Sequence, residues 1–344
     1  MLGRRSFTLL LIGFVVSEEI DHMFSLWSKG SGSSAGGNNN IPSLSRQQTG
    51  LGKDDVIFEL YTLKNKDTPQ ILSIDNITSI TKSNFNKNVP TRFVIHGYLE
   101  YNGKLKRIIN DAYLSKAKFD ANLIAVNWEK FSQTFNYIAA RSKVNSIGIH
   151  VAAMIDYMVK NHLASINDIS LIGFSLGAHI AGIAGKNVKS GKLPKIIGLD
   201  PAAPLFSLDK PTERLNRGDA KFVEVIHTNG AFLGIENPIG TVDFYPNTGL
   251  KQPGCSNDLL GRCSHWRAVE YFVESIYSPI QFYAYPCSSF DDMKKRNCKG
   301  HGLKMGGKPG NKNAEASIYY LTTNSESIFA RGESNQHSFT GIHG

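Results

Sequence analysis

The sequence predicts an α/β fold built on a largely parallel central sheet with helices on both faces. Three observations predict it. Short apolar runs recur from Asp54 onward, several of them apolar on both faces, as covered strands are, and stretches of helical period separate them. The spacing predicts strands at Val56–Tyr61, Arg92–Ile95, Leu123–Val126, Ile169–Ile172, Lys195–Leu199 and Phe222–Ile226, with one more at Ser317–Thr323. Val144, Ile147, Val151, Met154, Ile155 and Met158 recur at helical spacing, so an amphipathic helix feeds the strand Ile169–Ile172. Residues 300–310, rich in Gly and Lys, are expected to form a loop. There is no internal repeat and no second domain of useful size.

The chain has 344 residues, 38 Lys+Arg against 29 Asp+Glu, and 41% hydrophobic residues, which is a globular composition. No apolar run approaches the ~18 residues of a membrane span, which excludes a polytopic membrane protein. The net charge of +9 suits anionic surfaces, but no nucleic-acid module signature is present, so no nucleic-acid partner is expected. Arg4 and Arg5 precede the apolar Phe7–Val16, and Ser17 is followed by Glu18 and Glu19; this reads as a secretory signal peptide over 1–17. Residues 18–53, dominated by Gly, Ser and Asn, read as a flexible leader, 54–332 as the folded domain and 333–344 as a tail.

Export implies an oxidising compartment. The four cysteines, Cys255, Cys263, Cys287 and Cys298, then read as two disulfides, with nearest-neighbour pairing expected among three connectivities. Their spacings are not the C-x-x-C of a metal site. Asn76-Ile77-Thr78 makes Asn76 a glycan acceptor candidate.

The strand Ile169–Ile172 runs into Gly173-Phe174-Ser175-Leu176-Gly177, a G-x-S-x-G followed by the small-residue helix Ala178–Ala184. Such a strand-to-helix turn needs glycine on both sides and lifts the Ser175 hydroxyl above the sheet, as in a nucleophile elbow. A serine needs a histidine base, itself oriented by an acid. The first acid to leave a buried strand downstream is Asp200, ahead of Pro201-Ala202-Ala203-Pro204, with Asp243 in Val242-Asp243-Phe244 as the other candidate. Among later histidines, His265 sits beside Cys263 in a loop that a disulfide would hold. His227 ends a strand and reads as a core residue; His301, His337 and His343 read as exposed, and His179 as structural. The oxyanion donors are expected at the N–H groups of Leu176 and of Tyr98, which follows His96-Gly97 at a strand end, with His96 bracing that loop.

Thr91–Tyr98 (TRFVIHGY), Gly173–His179 (GFSLGAH), Gly198–Pro204 (GLDPAAP), Lys221–Thr228 (KFVEVIHT), Asp243–Asn247 (DFYPN), Gln252–Cys255 (QPGC) and Cys263–Ala268 (CSHWRA) together resemble the pancreatic lipase superfamily, over roughly Asp54 to Gly332. The resemblance implies an α/β-hydrolase fold, a Ser175, Asp200, His265 triad, and the disulfides Cys255–Cys263, closing a lid loop, and Cys287–Cys298. Only seven residues (SNDLLGR) separate Cys255 from Cys263, and 229–242 is short for the family; both truncations look like its phospholipase A1 members. The sequence is similar to the family without its C-terminal β-sandwich, so no colipase is expected as partner. Asn127 stands where relatives usually show Asp. The family's calcium-associated acidic cluster is poorly matched around Glu213–Asp219, with Asn216 at an expected acid, so no metal or cofactor is expected.

The resemblance therefore implies a secreted serine ester hydrolase acting on lipid at an interface, most closely a phospholipase A1. A triacylglycerol lipase is the alternative, and a non-catalytic, yolk-protein-like lipid carrier the alternative of another class. Lys294, Lys295, Arg296, Lys299, Lys304, Lys308 and Lys312 form a basic stretch that reads either as a solvated loop or as a contact for anionic lipid or heparin.

Overall fold

In the computed structural model, described for residues 50–333 apart from 53, 101–102, 231, 257, 308–313 and 315–316, eleven strands form one sheet in the order β10-β9-β11-β8-β7-β6-β5-β3-β4-β1-β2. The signal peptide, nearly all of the leader and tail, His337, His343, Lys308 and Lys312 lie outside the described residues. β3 (Thr91–Ile95), β4 (Asn122–Asn127), β5 (Ile169–Phe174), β6 (Lys195–Leu199), β7 (Phe222–Ile226), β8 (Val242–Pro246) and β11 (Ile318–Leu321) run parallel. At the two ends of the sheet the pairing is antiparallel: β1 (Ile57–Tyr61) pairs so with β4 and with the edge strand β2 (Gln70–Leu72), and β9 (Tyr283–Pro286) with β11 and with the edge strand β10 (Leu303–Lys304). This is the α/β-hydrolase fold.

Alternation along each strand separates two cores. Phe93, Ile95, Leu171, Ile196 and Val225 face one side, and Val94, Ile172, Phe174, Ile197 and Ile226 the other. Each such buried side chain contributes roughly 1.5–3 kcal/mol, which is why the central strands are mainly apolar. The helices are α1 (Ile77–Thr81), α2 (Lys104–Asn110), α3 (Glu129–Ser132), α4 (Tyr137–Ser142), α5 (Val144–Lys160), α6 (Leu176–Asn187), α7 (Arg262–Tyr277) and α8 (Phe290–Lys294). The apolar stripe of α5 is buried as its spacing requires, against the first core. A Cβ on its Gly148 would lie 2.5 Å from Ile183 Cβ, so the bare backbone there lets α5 and α6 approach closely.

Three expectations are corrected. The segment 300–310 contains a short strand, β10, paired with β9. His265 lies in the first turn of α7, not in a loop. The helix begins that early because the Asp258 carboxylate accepts the Cys263 and Ser264 N–H groups at 3.0 and 2.8 Å, satisfying donors its first turn leaves open. Leu51, assigned to the leader, is 4% exposed and packs into the first core. Among the described residues no helix is long and apolar enough to cross a membrane.

Candidate active site

β5 and β6 are adjacent, with Phe174 opposite Leu199, so Ser175 and Asp200 leave neighbouring strand ends side by side. Ser175 has φ 56° and ψ −119°, a left-handed turn costly for any residue but Gly. Its surroundings hold it there. Ser175 N–H donates to Leu199 O at 3.0 Å, and its carbonyl accepts from Ala178 at 3.1 Å and Ala202 at 3.3 Å. The flanking glycines are dictated by contact: a Cβ on Gly173 would lie 2.2 Å from Gly177 O, and one on Gly177 2.2 Å from Ile95 O.

Asp200 is fully buried, with its N–H on Ile226 O at 2.8 Å. One carboxylate oxygen accepts the Thr228 and Asn229 N–H groups at 2.8 and 3.0 Å; the other meets His265 Nδ1 at 2.5 Å. Since a carboxylate only accepts, the proton lies on Nδ1 and Nε2 is the basic nitrogen. The His265 ring packs on Phe174, the residue before the serine, at 4.6 Å between centroids. The Cys255–Cys263 disulfide closes the loop that leads into this turn, and Cys287–Cys298 is the second bridge.

The other two expected participants lie on either side of the serine. Leu176 opens α6, where a backbone N–H has no partner within the helix. The loop carrying Tyr98 runs against Ser175, since a Cβ on Gly97 would stand 2.9 Å from Ser175 Cβ. His96 braces this loop: its Nδ1 donates to Gly97 O at 2.9 Å, its Nε2 accepts Trp128 N–H at 3.2 Å, and burial lowers its pKa to about 4, so it is neutral. Asn127 donates to Glu59 at 3.0 Å and accepts Glu129 N–H at 3.0 Å, a pairing with a carboxylate that an Asp could not make while ionised.

The remaining candidates are accounted for elsewhere. Asp243 and His227 pair with each other, as described in the Discussion. His179 is buried, donates to Ala202 O at 2.8 Å and accepts Leu215 N–H at 3.1 Å. His301 is exposed. Asn76 is exposed and caps α1 through Ser79 N–H at 3.3 Å. In the basic stretch, Lys294 is paired with Glu236 at 3.0 Å. Sequence reasoning missed Asp258, which an acid shortly before an apolar helical pattern could have signalled, and the Thr228 and Asn229 donors, which are backbone groups and leave no signal in residue type.

The region matching the family's calcium cluster does not fit a divalent ion. Lys186 of α6 places its ammonium on Asp219 Oδ2 at 2.6 Å and on Arg214 O at 2.7 Å, and Asp219 Oδ2 also accepts Asn216 N–H at 2.8 Å. The oxygens a cation would need are already turned to a cation of the chain itself.

The family profile for Lipase matches residues 28–329. Lipase member H of Oryctolagus cuniculus is 37% identical over 261 residues, 73% of this chain and 56% of its own length. Pancreatic triacylglycerol lipase of Homo sapiens is 34% identical over 304 residues, covering 80% of this chain and 64% of its own. Inactive pancreatic lipase-related protein 1 of Mus musculus is also 34% identical, over 80% or so of this chain (81%) and 64% of its own. The chain thus spans 56 to 64% of the length of these relatives. With the profile match running over most of the sequence, the chain belongs to the pancreatic lipase family.

Proposed function

We propose that this protein is a secreted lipid carboxylic-ester hydrolase of phospholipase A1 type, with Ser175 as nucleophile, His265 as base, Asp200 as orienting acid, and Leu176 and Tyr98 N–H groups as oxyanion donors. The observation that carries the reading is the 2.5 Å contact of His265 Nδ1 with a fully buried Asp200 carboxylate, beside a serine held on a strained turn. In this reading His265 Nε2 takes the Ser175 proton as Oγ attacks the sn-1 ester carbonyl, and the oxyanion is held by the two amides. Collapse expels the lysophospholipid alkoxide, which takes the proton from His265. A water deprotonated by His265 then releases the fatty acid from Ser175.

Lipid as substrate class is supported by large apolar side chains left in solvent on connections leaving the C-terminal ends of β4, β6 and β8: Phe135 is 93% exposed, Leu205 57% and Leu259 87%. The seven-residue disulfide loop favours a substrate with a polar headgroup, because a short loop covers little apolar surface. Two disulfides agree with an oxidising compartment. Glycosylation at Asn76 and attachment to anionic surfaces through the basic stretch belong to the same proposal.

The triacylglycerol lipase reading draws on the relatives of that name, and the carrier reading on the existence of an inactive relative. Purified protein on phosphatidylcholine and on triolein, with Ser175→Ala as control, separates all three. Phospholipid turnover lost in the variant supports the proposal; dominant triolein turnover gives the second reading, and no turnover or fluorophosphonate labelling gives the third.

A further inference from the structure

Lys104, the first residue of α2, holds its ammonium 4.1 Å from the centroid of the Trp266 ring. Trp266 follows His265 on α7, and its ring stands edge-on to Phe174 at 5.4 Å, the same ring that carries the His265 imidazole. Two contacting aromatic rings, those of Trp266 and Phe174, therefore link an exposed cation to the imidazole of the candidate base. Glu100 fixes the start of α2 by accepting Leu105 N–H at 2.7 Å, and with it the stem of Lys104. Among the described residues no carboxylate pairs with Lys104, whereas Lys106, two positions on, is bound to Glu59.

An ammonium over an indole face is held weakly and keeps N–H donors turned to solvent. A phosphate oxygen is a far stronger acceptor for them. We propose that Lys104 recognises the phosphodiester of a glycerophospholipid while the sn-1 ester lies at Ser175, and so acts as a specificity residue. A triacylglycerol carries a third neutral ester on the carbon where a phospholipid carries this anion, so a cation that meets the anion discriminates between the two. This inference rests on the phospholipase reading above and adds the group that selects for it.

The test uses the full chain and initial rates on monomeric dihexanoyl phosphatidylcholine and monomeric tributyrin, which removes adsorption to an interface. Lys104→Met is expected to lower the phospholipid-to-tributyrin ratio of kcat/KM roughly tenfold, mainly through KM, and Lys104→Arg to restore most of it. Added salt is expected to raise the wild-type KM for phospholipid and to leave that of Lys104→Met flat. An unchanged ratio in Lys104→Met, or an equal loss on both substrates, overturns the role of Lys104. Wild-type protein that cleaves tributyrin and not the phospholipid overturns the phospholipase reading itself, a result distinct from an active phospholipase indifferent to residue 104.

Discussion

His227 Nε2 lies 2.8 Å from Asp243 Oδ1, a second histidine–acid pair in which both side chains are wholly buried. His227 Nδ1 faces Ile235 O at 2.8 Å, and Asp243 accepts Ile239 N–H at 2.9 Å and Gly240 N–H at 3.0 Å. Both ring nitrogens thus face acceptors, and the pair pins the segment between β7 and β8 that also supplies Asn229 N–H to Asp200. One acid meets an imidazole through Nδ1, as the proposed triad requires, while the other ties down a turn. Asp200→Asn is therefore expected to cut kcat on a soluble ester by about 10³–10⁴-fold in a protein that still melts cooperatively. Asp243→Asn should cost about 2–4 kcal/mol in urea unfolding and leave kcat of the folded fraction within roughly tenfold. Equal losses of kcat in both variants would defeat this division of roles.

The elbow makes a steric prediction that is independent of chemistry. A methyl group at Gly177 would meet the Ile95 carbonyl, a backbone atom in the centre of the sheet that has nowhere to move. Gly177→Ala is expected to destabilise by about 2–3 kcal/mol and to abolish ester hydrolysis, because Ser175 shifts with the turn. Gly218→Ala is the control: the nearest atom to its new Cβ is 3.9 Å away, and stability should change by less than about 0.5 kcal/mol. Urea midpoints of the two variants check the contrast.

Acid stability follows from two buried histidines. Burial pushes the pKa of His96 down to about 4 and that of His179 to about 3, against about 6.5 in an unfolded chain. Each accepts an N–H through one ring nitrogen, so protonation in the fold would set two donors against each other. A histidine depressed in this way supports the fold fully above the unfolded value and loses that support as pH falls, down to its folded value. Unfolding at pH 5 should take up about two more protons through these residues than at pH 8, and stability should fall steadily from about pH 6.5 to pH 4. Calorimetric melts across that range measure the slope; a flat limb would show that both imidazoles titrate freely.

What the sequence disclosed and what it hid have physical causes. β5 to β7 were legible within a residue or two because burial on both faces keeps them mainly apolar, and the one acid inside them, Glu224 of β7, is paired with Lys195 of β6 at 2.7 Å. β8 was not, because its five residues are interrupted by Asp243, whose burial depends on His227, 16 residues away, and on the Ile239 and Gly240 N–H groups. Ser175 and Asp200 could be read because each needs a recognisable neighbourhood, glycines for the one and a strand end for the other. The setting of His265 could not: its helix is started by Asp258 from within the disulfide loop, an interaction that depends on the loop's conformation. The disulfide pairs matched what the resemblance implied.

Lys186 yields the last prediction. Its ammonium links α6, the helix that the elbow launches, to the Arg214–Asp219 segment, and Asp219 is nearly buried, with 3% of its side chain exposed. Burial raises the Asp219 carboxyl pKa and lowers that of Lys186, so each charge depends on the other for its place in the fold. Removing the lysine strands a carboxylate. Lys186→Met should therefore lose about 3 kcal/mol or more, and Lys186→Met with Asp219→Asn should recover part of that loss, since the second change removes the stranded charge. Because the cradle already holds a cation, neither calcium nor EDTA should shift the melting temperature of the unaltered protein. A clear rise in that temperature with calcium would mean that the ammonium gives way to the metal, and that the loop is metal-held after all.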